Sequence, residues 1–139
     1  MTEKKSIDPI RVMLIDDEPA FTRTLKLNLE DNDGITVVQV NESPKALEVA
    51  LDFRPDIIFL DIVMPEADGG DVATQLRSDS RIKDIPIVFL SAIVPKRHSG
   101  DGSYTSGGER LLAKPVTVDQ IIQCINRVLD EERTRKAGM

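Results

Sequence analysis

At residues 57–60 the chain sets four large apolar side chains in a row, Ile57-Ile58-Phe59-Leu60, then an acid, Asp61, and shortly afterwards Pro65. An unbroken apolar run bounded in this way reads as a β-strand buried on both faces. Asp61 then stands at the strand's carboxyl end. That edge is where ligands bind in open α/β sheets, which makes Asp61 a candidate reactive group. Aspartate also terminates strands for reasons of turn chemistry, and the stretch by itself leaves both readings open.

The rest of the chain repeats the pattern. Residues 1–9 are polar and end in Pro9, and they read as a flexible lead-in. Ile10, Val12, Met13, Leu14 and Ile15 form a second near-continuous apolar run, closed by Asp16-Asp17-Glu18. Pro19 suits a first helical turn, and Phe21, Leu25 and Leu29 recur every four residues, so a helix is predicted over 19–32. Residues 35–40 mix apolar and polar side chains and read as a strand at the sheet's edge. Ser43-Pro44 has the form of an N-cap followed by a first-turn proline, and Ala46, Leu47, Ala50 and Leu51 supply a buried stripe. After Asp68-Gly69-Gly70, read as a turn, Val72, Ala73 and Leu76 give another helix. The third solid run, 86–90, ends in Ser91-Ala92, and Leu111-Leu112-Ala113 is a short fifth strand before Lys114-Pro115. A last helix over 118–132 packs through Ile121, Ile122, Ile125, Val128 and Leu129, leaving 133–139 as a flexible tail.

Strand and helix thus alternate five times, which implies an α/β fold: a (βα)5 doubly wound, five-stranded parallel sheet with right-handed crossovers. Three solid strands want the centre, while the mixed second strand and the short fifth want the edges. The order 2-1-3-4-5 satisfies both and sets the carboxyl ends of strands one and three side by side. Asp16, Asp17 and Asp61 are therefore expected in one pocket, with Ser91 and Lys114 arriving from strands four and five. The fourth crossover departs from the pattern. Between 94 and 108 lie Gly100, Gly102, Gly107 and Gly108 with Ser99, Ser103 and Ser106. Each interior glycine costs a helix about 1 kcal/mol relative to alanine, so a short helix or a mobile loop is expected there.

Whole-chain quantities narrow the partners. A chain of 139 residues suits one domain, here 10–132. A net charge of −6 supplies no basic field for a polyanion, so direct nucleic-acid binding is not expected. The single cysteine, Cys124, forms no internal disulfide and reads as a small buried or half-buried side chain. No apolar run is long enough for a signal peptide or a membrane span, which points to a soluble, cytoplasmic protein.

Three carboxylates in one pocket repel one another and need a compensating cation. A hard divalent ion suits them. Mg2+ takes oxygen ligands and is usually held by one or two carboxylates together with phosphate oxygens. Asp61 is then a plausible nucleophile toward a phosphoryl group, with Lys114 as a point charge for the phosphoryl oxygens and Ser91 as a hydroxyl donor.

The set Asp16-Asp17, Asp61-x-x-Met64-Pro65-x-x-Asp68-Gly69, Ser91-Ala92 and Lys114-Pro115 resembles the receiver domain of two-component response regulators, over about residues 10–130. The resemblance implies a flavodoxin-like fold and a stand-alone signalling domain rather than an enzyme. Asp61 would be the phosphoacceptor, charged by a histidine kinase or a histidine phosphotransfer protein and acting on a further protein target or an onward phosphorelay. It further implies that Asp17, Asp61 and the backbone carbonyl of Val63 bind Mg2+ directly, with Asp16 acting mainly through a metal-bound water. Ser91 would bond a phosphoryl oxygen, Lys114 would pair with the phosphoryl group, and Pro115 stands where the family has a cis proline.

Two departures bear on signalling. Three residues before the lysine, the family usually has Phe or Tyr as a switch residue, and here the position is Leu111. The segment from Ser91 to Lys114 is also about one residue longer than the family's and rich in glycine. Its functional reading is a remodelled partner surface, against a tolerated loop. Of the other residues, His98 and the pair Lys96-Arg97 read as surface side chains, Glu18 as an exposed first-turn acid, and Tyr104 as a candidate substitute for the missing aromatic. Two alternatives compete. One is a phosphorylation-independent adaptor. The other is a Mg2+-dependent aspartate-nucleophile phosphohydrolase, which would need a second acid two residues after Asp61, where the chain has Val63.

Overall fold

Val12, Met13, Leu14 and Ile15 are all buried, and they sort by parity. Val12 and Leu14 enter one core, Met13 and Ile15 the other, because successive side chains of a strand leave opposite faces. The same sorting holds for Ile57 and Phe59 against Ile58 and Leu60. A sheet with two apolar faces needs two covering layers, and a computed structural model provides them over residues 8–32, 34–62, 69–92, 103–106 and 108–138.

The elements in chain order are β1 (Ile10–Ile15), α1 (Pro19–Glu30), β2 (Ile35–Val40), a 3-10 turn (Ser43–Lys45) running into α2 (Ala46–Phe53), β3 (Ile57–Asp61), α3 (Gly69–Arg77), β4 (Ile87–Ser91), β5 (Ser103–Ser106), β6 (Glu109–Ala113) and α4 (Val118–Ala137). Helices α1 and α4 cover one face through Leu25, Leu29, Ile121, Cys124, Ile125 and Val128. Helices α2 and α3 cover the other through Ala46, Ala50, Val72, Ala73 and Leu76. Five parallel strands stand in the expected order, with β6 as the fifth, and parallel pairing joins β1 to β2 and β3, β3 to β4, and β4 to β6. Among the described residues, no helix is long and apolar enough to cross a membrane.

Four local expectations need correcting. First, Ser43 does not cap a helix: it lies buried as the first residue of the 3-10 turn, and Glu42 takes the cap position without a side-chain bond. Second, α4 continues as helix to Ala137, past the expected end at residue 132, and its start is fixed by a capping box. There the Thr117 hydroxyl accepts the Gln120 backbone N–H at 3.1 Å while the Gln120 side-chain Oε1 accepts the Thr117 N–H at 2.8 Å. Third, the strand before Lys114 begins two residues early, at Glu109.

The fourth correction concerns the crossover. Instead of a short helix or a loop, residues 103–106 form β5, antiparallel to β6, with Ser106 opposite Glu109. Just before Glu109, Gly108 has φ +82°, a left-handed conformation that a residue without a Cβ adopts freely. Among the described residues the sheet therefore has six strands in the order β2-β1-β3-β4-β6-β5, and β6 is not its edge. Residues 93–102, which include Lys96-Arg97 and His98, lie outside the described residues.

Candidate functional site

Strand register decides which side chains meet. Ile15 is level with Leu60, Asp61 with Leu90, and Ser91 with Ala113. The next residues along, Asp16 and Lys114, thus arrive at one edge with Asp61 and Ser91. Asp16 is 1% exposed, Asp61 7% and Ser91 8%, whereas Asp17 is half-buried. One oxygen from each of Asp16, Asp17 and Asp61 lies within 4.8 Å of the others.

Asp16 is held on every side. Its Oδ1 accepts the Glu18 N–H at 3.0 Å and its Oδ2 accepts Lys114 Nζ at 3.0 Å. Its backbone N–H donates to Val40, and its carbonyl accepts the Asn41 amide at 2.7 Å. The same amide of Asn41 donates to the Thr22 hydroxyl at 2.9 Å, tying β2's end to α1. The Glu18 carboxylate is exposed, and this residue serves the site through its backbone.

Asp61 is fixed through its main chain. The Ile62 N–H donates to Leu90, and the Gly69 N–H donates back to the Ile62 carbonyl at 2.6 Å. A Cβ on Gly69 would stand 2.5 Å from the Asp61 carbonyl oxygen and 2.9 Å from Ile62 Cα, so α3 can start this close only at glycine. Gly69 is thus the first residue of the helix rather than part of the expected turn. Residues 63–68, and with them the Val63 carbonyl, Met64, Pro65 and Asp68, lie outside the described residues.

Lys114 spans the site. Its Nζ lies 3.0 Å from Asp16 Oδ2, 3.4 Å from Asp61 Oδ1 and 4.8 Å from the centroid of the Phe21 ring. Burial alone would lower its pKa, but the Asp16 hydrogen bond and the charges of Asp16 and Asp61 outweigh it and hold the value above the ordinary one. The Lys114 N–H donates to the Ser91 carbonyl at 2.8 Å, fastening the ends of β6 and β4 together, and the Lys114-Pro115 bond is cis.

The site residues expected from sequence therefore converge, with Val63 outside the description. Phe21, Asn41 and Gly69 were missed as site residues. The spacing of Phe21 is fully used up by a packing role, and Asn41 stands just past the carboxyl end of β2, which is its only signal. Leu111, at the position of the absent aromatic, is half-buried, and its backbone stands in register with Phe89 of β4 on one side and Tyr104 of β5 on the other.

Three carboxylates against one ammonium leave two negative charges, which one divalent cation balances. Oxygens around a Mg2+ with bonds of about 2.1 Å lie roughly 2.9–4.2 Å apart, so these acids need only small side-chain adjustments to share one. The donor set of Asp16, Asp17 and Asp61 fits such an ion.

Similarity to known proteins leads to the same place. A family model described as the response regulator receiver domain matches residues 12–126. The DNA-binding dual master transcriptional regulator RpaA of Synechocystis is 34% identical over 119 residues, covering 86% of this chain and 48% of that protein. The chain thus spans about half the length of the curated relatives it matches. Among solved structures, the receiver domain of the Francisella response regulator 1452 has a TM-score of 0.69 at 26% identity, covering 87% of this chain and 97% of that one. Vibrio cholerae chemotaxis protein CheY4 has a TM-score of 0.72 at 25% identity, covering 86% and 98%. The chain belongs to the response regulator receiver domain family.

Proposed function

We propose that this chain is a phosphorylatable receiver in which Asp61 accepts a phosphoryl group from a phosphohistidine on a histidine kinase or a histidine phosphotransfer protein. The observation that carries the reading is the placement of the Asp61 carboxylate, which is buried at a strand's carboxyl end, 3.4 Å from Lys114 Nζ and grouped with Asp16 and Asp17. In the transfer, an Asp61 oxygen forms a bond to phosphorus as the phosphorus–nitrogen bond of the donor breaks, and the electron pair leaves with the imidazole. Lys114 offsets charge on the phosphoryl oxygens, and Ser91, level with the preceding Ala113 across the sheet, offers a hydroxyl. Mg2+, when bound by Asp17, Asp61 and the Val63 carbonyl, supplies charge neutralisation at the phosphoryl oxygens.

Signalling then proceeds through protein contacts or onward phosphorelay in the cytoplasm, with the acidic balance of the chain favouring protein over nucleic-acid partners. The chemistry is self-modification without turnover of a diffusible substrate. Incubation with Mg2+ and acetyl phosphate should add one acid-stable, base-labile phosphate, read as a mass increase and absent from Asp61→Asn. Undiminished labelling of that variant would remove Asp61 from the role. An unlabelled native protein would favour the phosphorylation-independent adaptor, and multiple-turnover hydrolysis of a phosphate ester would favour the phosphohydrolase.

A further inference from the structure

Phe21 begins the row of α1 that continues through Leu25 and Leu29. Those two leucines are fully buried, while Phe21 is only half-buried, packed against the same core at the edge where core gives way to site. An aliphatic side chain would satisfy that packing. Only an aromatic ring adds a face of negative electrostatic potential, and the ammonium of Lys114 lies over this one, 4.8 Å from its centroid.

Lys114 has three N–H donors, and Asp16 and Asp61 supply acceptors at 3.0 and 3.4 Å. A third oxygen acceptor would fix the ammonium in a cage, whereas a ring attracts the charge without a directional bond. The lysine side chain is 19% exposed, so the attraction acts in partly excluded water, where it is stronger than on an open surface. We infer that Phe21 is a positioning residue for Lys114, its ring keeping the ammonium beside Asp61 while leaving it free to exchange a carboxylate partner for phosphoryl oxygens. The role rests on the phosphoacceptor reading of Asp61, and it is specific to the ring rather than to the bulk of the side chain.

The test replaces Phe21 in the full chain with 4-fluoro-, 3,5-difluoro- and pentafluorophenylalanine, which drain the ring's negative face in steps at nearly constant volume. Initial rates of Asp61 labelling by acetyl phosphate at fixed Mg2+ should fall monotonically along the series, by about two- to fivefold in total. A merely structural ring would give equal rates. In the native protein without phosphodonor, the Lys114 ε-methylene protons should show an upfield ring-current shift in the NMR spectrum, lost in Phe21→Leu. Normal labelling with flat rates, or ε-protons indistinguishable from those of Phe21→Leu, would overturn the role of Phe21 alone. A native protein that takes no label would overturn the phosphoacceptor reading together with it, while the NMR shift still reports whether the contact exists.

Discussion

At the scale of single residues, the site depends on close approaches as much as on charge. Gly69 illustrates this, because the space its absent side chain leaves is filled by the Asp61 carbonyl and Ile62 Cα. In Gly69→Ala the new Cβ must push either α3 or the end of β3, and such overpacking costs about 1–3 kcal/mol. The variant should therefore unfold at lower urea with an unchanged m-value, and its Asp61 should take label more slowly because the carboxylate has moved relative to Lys114. A native urea midpoint would show that the loop relaxes freely and that Gly69 is not what positions Asp61. The residues of the candidate site were legible because acids, a serine and a lysine each close an apolar run, and the strand order brings those ends together. Gly69 and Phe21 were not, since a glycine reads as a turn and a phenylalanine in an apolar row reads as core.

At the scale of elements, the fourth crossover ends in the β5–β6 hairpin. The glycines of the fourth crossover argue against a helix, and its residues 103–106 are strand. Their other meaning was overlooked: Tyr104 and Thr105 favour strands, and Gly107-Gly108 before an apolar run is a hairpin signal. The start of β6 is pinned on both faces. Arg77 of α3 makes two bonds to Glu109 at 2.8 and 2.9 Å, while Arg110, the next residue, pairs with Glu131 and Glu132 of α4. The Arg77 hydrogen bonds lower the Glu109 pKa from its ordinary 4.5. For Glu132, burial acts to raise the value, but bonds from Arg135 and Arg110 outweigh it and the net shift is also downward. A depressed carboxylate contributes stability that is present above the ordinary value and lost as pH falls through the depressed one. Both partners of the Arg77–Glu109 pair are more than a third exposed, so solvent screening limits its worth to about 1 kcal/mol or less. Glu109→Gln should lower Tm by a few degrees at pH 7, and the gap should close as pH falls from about 5 to 3. A gap that persists at pH 3 would mean the loss is one of packing rather than of charge.

At the scale of the whole molecule, the sheet's layout was legible because strands buried on both faces leave no polar alternation, and only a parallel sheet between two helical layers accommodates them. The edges were less so. Strand β2 is an edge as expected, and its Val37 is engaged by α1: the Val37 N–H donates to Glu30 and its carbonyl accepts Lys26. Strand β6, short and ending at the site, looked like the other edge because its partner lies in polar sequence that carries no apolar run. The global charge balance leads to a further prediction. A chain of net charge −6 places three carboxylates at one sheet edge with one ammonium among them. An ion that binds only the folded state raises stability by about 2.7 kcal/mol at a hundredfold excess over its Kd. Tm should accordingly rise with the logarithm of Mg2+ concentration, and the rise should be blunted in Asp17→Asn. Lys114→Met sharpens the test, since it removes the charge that offsets the acids and repels the ion. Without Mg2+ this variant should melt below the native protein, and with Mg2+ it should gain more. A smaller gain in Lys114→Met than in the native protein would show that the ammonium helps to build the ion site instead of competing with it for Asp16 and Asp61.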